Sequence, residues 1–110
     1  MKTEKILLAV TIAAAAALSR FRFTDYSGNV VGAGERVLGV PTTDFSAGEQ
    51  ASVATHGEIL VEAGAAIAAG AEVESDANGK AITKAAGISN GFALDAAAAA
   101  GDVIRIVRGI

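Results

Sequence analysis

The chain has 110 residues, 52% of them hydrophobic, and a formal net charge of −3. That is one domain's length, and with 26 alanines among the apolar residues only 31 larger apolar side chains remain to build a core. Zero cysteines and a single histidine, His56, exclude disulfides, thiolate metal sites and His-rich clusters, while the acidic balance argues against nucleic acid as the main partner.

The chain opens with Lys2 and Lys5, then Ile6-Leu7-Leu8-Ala9-Val10-Thr11-Ile12 and the alanines 13–17. A basic start, an apolar stretch and small residues at a cleavage point read as a secretory leader. The stretch is too short and too alanine-rich for a membrane span, which needs about 20 apolar residues. The β-branched Ile6, Val10, Thr11 and Ile12 favour a different reading, a strand or arm retained in the mature protein. Residues 1–17 are therefore expected to form an N-terminal strand or arm, and residues 18–110 a single β-rich domain. Residues 13–17 read as strand or irregular connection, because context overrides propensity in so short a run. Next, Phe21 and Phe23 alternate with Arg20 and Arg22, the period of a half-buried strand over residues 18–23. Tyr26-Ser27-Gly28-Asn29 reads as a turn.

From there one device recurs. Ala33-Gly34-Glu35 precedes the strand-like 36–40, Ala47-Gly48-Glu49 precedes 50–55, Ala69-Gly70-Ala71 precedes 72–74, and Ala100-Gly101-Asp102 precedes 103–107. A small residue and a glycine open each strand, as expected where the backbone turns without a Cβ clash. The spacings of 14, 22 and 31 residues are too uneven for a solenoid. His56-Gly57, between two apparent strands, reads as a turn or a surface histidine. Asp76-Ala77-Asn78-Gly79 marks a hairpin between 71–75 and 80–83. One short helical turn is expected at residues 95–100, capped by Asp95 and closed by Gly101. The fold class is all-β, a small barrel or sandwich of short strands with that helical turn and the N-terminal arm.

Tests for chemistry are negative. Gly32-Ala33-Gly34-Glu35 lacks the Lys-Ser/Thr of a phosphate loop. Residues 74–79 have oxygens at calcium-loop spacing, but Ala85 stands where the bidentate Glu belongs. His56 is the sole candidate base, and Ser46, Ser52, Ser75 and Ser89 lack a nucleophile setting. Widely spread carboxylates admit a glycosidase pair, but the chain has no tryptophan and one tyrosine for a sugar platform. Lys80 near the hairpin tip has the position of a carrier-barrel lysine without its surrounding signature. No catalytic, metal-binding or cofactor-binding residue is expected, and no cofactor. Lys and Arg are absent between Arg36 and Lys80, while that stretch carries Asp44, Glu49, Glu58, Glu62, Glu72, Glu74 and Asp76. The pattern reads first as a soluble acidic surface, and alternatively as a dipolar subunit whose basic ends and acidic middle meet partners of different sign.

Several segments, taken in order, carry a family resemblance. They are Val37-Leu38-Gly39-Val40, Thr43-Asp44 with Ala47-Gly48-Glu49, and Gly57-Glu58-Ile59-Leu60-Val61-Glu62-Ala63-Gly64. Ile67-Ala68-Ala69-Gly70-Ala71-Glu72-Val73 with Asp76-Ala77-Asn78-Gly79-Lys80-Ala81 follows, then Gly91-Phe92-Ala93-Leu94-Asp95 on to Gly101-Asp102. The chain resembles the capsid cement, or decoration, proteins of tailed bacteriophages. The resemblance implies a non-enzymatic β-rich subunit, trimeric, made in the host bacterial cytoplasm and bound to the outer surface of the virion shell, which it reinforces. Its implied partners are the major capsid protein and its own copies, with neither nucleic acid nor membrane. The alternative is a secreted or periplasmic β-rich binding module with a cleaved leader. Residues 5–12 are apolar on both faces, so the expected contact residues are Lys2, Lys5, Ile6, Leu7, Leu8 and Val10. Strand addition to a neighbouring subunit or to the shell protein would bury them.

Overall fold

A computed structural model describes residues 3–109. Seven strands form in chain order: β1 (Lys5–Ala13), β2 (Val40–Pro41), β3 (Gln50–Glu62), β4 (Val73–Ser75), β5 (Ala81–Thr83), β6 (Phe92–Ala93) and β7 (Val103–Arg108). The all-β expectation holds, and no helix forms among the described residues. The main sheet runs β1-β3-β7-β6, with β2 also on β3, and every pairing is antiparallel. β4 and β5 form a separate hairpin. This sheet is open, with no pairing from β1 to β6 among the described residues, so it is not a closed barrel.

The central β3 organises the molecule. Its second half pairs with β7 so that Ile59 faces Ile106 and Val61 faces Ile104, all four fully buried. Around them pack Phe23, Val31, Val37, Val40, Ile67 and Val73. Its first half contributes Ala51 and Val53 to a second cluster, with Ala14 and Leu18 and the partly buried Val10 and Ile12 of β1. Yet Ala54, next to Val53, belongs to the first cluster. The side chains that reach the first cluster are thus the even-numbered Ala54 before Thr55 and the odd-numbered Ile59 and Val61 after Gly57, so the alternation toward that cluster inverts between them.

That inversion explains one corrected expectation. His56-Gly57 is not a turn between strands but the interior of β3, where His56 is the surface histidine that the sequence allowed. Gly57 has φ +111, and an added Cβ would strike the carbonyl oxygen of Lys5 across the ladder. The β1–β3 register slips at Leu8↔His56 and returns at Ala9↔Ala54, leaving Leu7 and Thr55 without ladder partners. Such an irregularity re-aims side chains and increases local twist.

Three other expectations change. Residues 18–23 are not a strand: Leu18 makes an isolated bridge with Phe45, and the chain turns at 19–22. Phe21 takes φ 71 there, which hands its carbonyl to the Glu62 N–H at 2.8 Å. Of the strand-like 36–40, only Val40 enters β2. Residues 95–100 are not helical, because Ala97 bridges to Ile67 and the Asp102 carboxylate accepts the Ala98 N–H at 2.8 Å. Asp95 is drawn away from any capping role by Arg105. The Ala-Gly openers do turn as expected, with Gly34, Gly48, Gly70 and Gly101 all at φ between 69 and 95. The hairpin at residues 76–79 is also present, its Asp76 Oδ1 accepting from the N–H groups of Asn78 and Lys80.

Candidate interaction surface

Two surfaces of the sheet are available to a partner. The first is β1, the end strand of the sheet. Ile6 is 40% exposed, Leu7 83% and Leu8 49%. Beyond the irregularity, Val10 and Ile12 turn onto the second apolar cluster instead. Of the expected contact residues, Lys5, Ile6, Leu7 and Leu8 therefore gather at one exposed end of β1, Val10 packs inward, and Lys2 lies outside the described residues. The segment with a leader's composition is laid along β3 as this strand.

The second surface is the sheet face opposite the first core. Lys5↔Glu58, Glu58↔Val107 and Val107↔Phe92 are directly paired across β1, β3, β7 and β6, so these side chains share a face. Arg105 binds Asp95 through two parallel hydrogen bonds of 2.9 Å and lies 3.6 Å from Glu58. Lys5 is 3.9 Å from the same Glu58. The Asp95 hydrogen bonds, opposed in part by burial and aided by the Asp95 and Glu58 charges, raise the Arg105 pKa. Further along, Glu62 meets Lys80 at 3.0 Å and Arg22 at 3.4 Å. Burial works against the Glu62 charge, but the Lys80 hydrogen bond and the Arg22 and Lys80 charges outweigh it and hold its carboxyl below the usual range. Glu4 completes the set, accepting the Leu60 N–H at 3.3 Å and pairing with Arg20 at 3.4 Å.

Sequence reasoning named neither this lattice of charges nor Phe92 as part of a surface. The signal available was the even spacing of Glu58, Leu60 and Glu62, obscured by the reading of a turn at His56. A shallow depression of about 330 Å³ opens beside the lattice, with Leu7, His56, Val107 and Gly109 on its wall.

The candidates for chemistry find ordinary partners. The Thr55 Oγ1 lies 3.1 Å from the Leu8 carbonyl and 2.9 Å from His56 Nδ1. Its single proton goes to the carbonyl, which can only accept, so Nδ1–H donates to Thr55. The pair tethers β1 at its irregular step. Lys80 is held by Glu62. Among the described residues, no group of three or more His, Asp or Glu is arranged to hold a metal ion.

The reachable surface is thus an open, β-only sheet with an apolar end strand and a self-paired charged face. The phage cement protein family matches residues 1–108, and the chain belongs to that family. It is a structural, capsid-associated protein of the phage virion. In fold it is similar to the crystal structure of the N base of the head fiber gp8.5 of bacteriophage phi29. The TM-score is 0.75 at 19% identity, over 91% of this chain and 92% of that one. By sequence, the chain matches none of the curated proteins.

Proposed function

We propose that the protein sits on the outer surface of the capsid as a non-enzymatic reinforcing subunit, touching the major capsid protein and associating in threes. It would be made in the host cytoplasm and captured by the assembled shell. The observation that carries this reading is the exposed apolar end of β1, Ile6 to Leu8, on the end strand of an open sheet. Such a strand is a template for pairing with another chain, and main-chain bonds then supply affinity while alternate side chains supply specificity. Lys5 adds little, since exposed ion pairs contribute about 0–1 kcal/mol.

Removing residues 1–8 tests it. The truncation spares Val10 and Ile12, which the second cluster needs, whereas removal through residue 12 would also strip that cluster. The shortened chain is expected to keep its fold by circular dichroism and to fall off purified shells. Retention on shells equal to that of the full chain would refute β1 as the anchor.

A further inference from the structure

Asparagine precedes glycine at two places, Asn78-Gly79 in the hairpin turn and Asn90-Gly91 just before β6. Such a pair carries chemistry of its own. The glycine nitrogen attacks the asparagine Cγ and a five-membered imide closes. The proton of that nitrogen passes through solvent to the departing side-chain nitrogen, which leaves as ammonia. Water then opens the imide at either carbonyl, giving aspartate or an isoaspartate whose main chain is one carbon longer. Glycine favours the attack because no Cβ crowds the nitrogen, and asparagine is accordingly among the heat-labile residues.

The fold treats the two pairs in opposite ways. Asn90 is 3% exposed, and both ends of its amide are bonded, Oδ1 to the Val37 N–H at 3.1 Å and Nδ2 to the Glu35 carbonyl at 3.2 Å. Its own N–H donates to the Val73 carbonyl at 2.8 Å, and the Gly91 carbonyl accepts the Val73 N–H at 3.0 Å. Cγ of Asn90 cannot swing onto Gly91 without breaking bonds in the interior. Asn78 is exposed, and its side-chain amide has no partner among the described residues. A single bond of 3.2 Å, to the Asp76 carbonyl, occupies the N–H of Gly79. It lies at a loop tip, where local opening costs little.

We propose that Asn78 is a site of self-modification, converting to aspartate and isoaspartate in the folded protein, while the fold keeps Asn90 inert. The isoaspartate acts on the hairpin. Asp76 Oδ1 accepts the N–H groups of both Asn78 and Lys80, and the Gly79 carbonyl accepts the N–H of the fully buried Phe23 at 2.7 Å. An extra main-chain carbon between residues 78 and 79 shifts these groups out of register. Glycine cannot be exchanged here, since Gly79 has φ +76 and an added Cβ would lie 2.6 Å from Val30 Cγ1. Asn78 has no positive φ, so the turn itself does not require asparagine.

Incubation of the full chain in mildly alkaline buffer, followed by peptide mapping with mass spectrometry, tests the site. In the folded protein Asn78 should convert about tenfold or more faster than Asn90, because a buried group reacts only as often as its surroundings open. In urea strong enough to unfold the chain, the two should convert at similar rates. Asn78→Ser should abolish the hairpin product and keep the native circular dichroism. Asn78→Asp adds the charge on an ordinary main chain and should unfold at the wild-type urea midpoint. Isoaspartyl protein, separated from the aspartyl form by chromatography, should unfold at a lower one. Folded protein in which Asn78 converts no faster than Asn90 would overturn the site. An unfolded chain that keeps the difference would overturn the protection of Asn90 by the fold. Isoaspartyl protein as stable as Asn78→Asp would overturn the shift in register.

Discussion

Glu62 shows how single residues hold this open sheet together. It closes β3 at the edge where Phe21 hands over its carbonyl, and its carboxylate gathers Lys80 from the hairpin and Arg22 from the turn. Because its folded pKa is held below the usual glutamate value of about 4.3, the ion pairs stabilise the fold above that pH. The contribution is lost as pH falls through the folded value and the carboxylate takes up a proton. Glu62→Gln should therefore lower stability at neutral pH by about 1 kcal/mol or less, the range of partly exposed pairs. The gap to wild type should close as pH falls from about 5 through the lowered folded value. Urea titrations across that range would show it, and a gap that stayed constant with pH would mean the charge pairs contribute nothing. Asn90 works by hydrogen bonding alone. Nearly fully buried, it accepts the Val37 N–H and donates to the Glu35 carbonyl, tying the 35–37 segment to the core. Nothing in the sequence distinguished it from a loop asparagine, because its partners lie more than fifty residues away.

At the scale of elements, what could be read in advance was what local chemistry decides. The Ala-Gly turns, the Asp76–Gly79 hairpin and the strandedness of residues 5–12 follow from φ preferences and β-branching, and they are present. The readings that failed are those in which a distant partner outweighed a local preference. Five alanines at 96–100 favour helix, but so short a helix cannot nucleate unaided, and bridging of Ala97 to Ile67 fixes an extended course. The Arg-Phe alternation of 20–23 yields to a turn that completes the edge of β3. His56-Gly57 looked like a turn because glycine there does take a positive φ, though inside a strand, where it inverts the facing of side chains. The inversion separates β1 into an inward half and an exposed half, so the proposed contact surface was legible only as residue types and not as a place. Gly57→Ala tests this division. A Cβ would collide with the Lys5 carbonyl, and the backbone conformation itself disfavours alanine. Amide exchange should quicken at residues 5–8 and stay slow at 9–13, where Val10 and Ile12 are packed. Equal quickening along all of β1 would show that the strand detaches as one piece.

The whole molecule is small, modestly cored and net acidic, and these properties bear on how copies meet. Among the described residues, the exposed large apolar side chains are a few on β1, Phe92 and Leu94 around β6, and Tyr26 and Ile88. Stable protein interfaces bury about 800 Å² per partner, and burial contributes only about 25 cal/mol per Å² against the cost of association. The net negative charge adds mutual repulsion between free copies. Fixing copies side by side on a lattice changes the balance, because the second contact becomes intramolecular and acts at a high effective concentration. A heterologous contact between unlike patches then closes into a ring if the rotation allows. The expected outcome is a protein that sediments as a 10.9 kDa monomer when free and occupies shells in groups of three. Analytical ultracentrifugation checks the first half and imaging of decorated shells the second. A stable trimer in free solution would remove the shell from the account, and bound copies standing apart would remove the trimer.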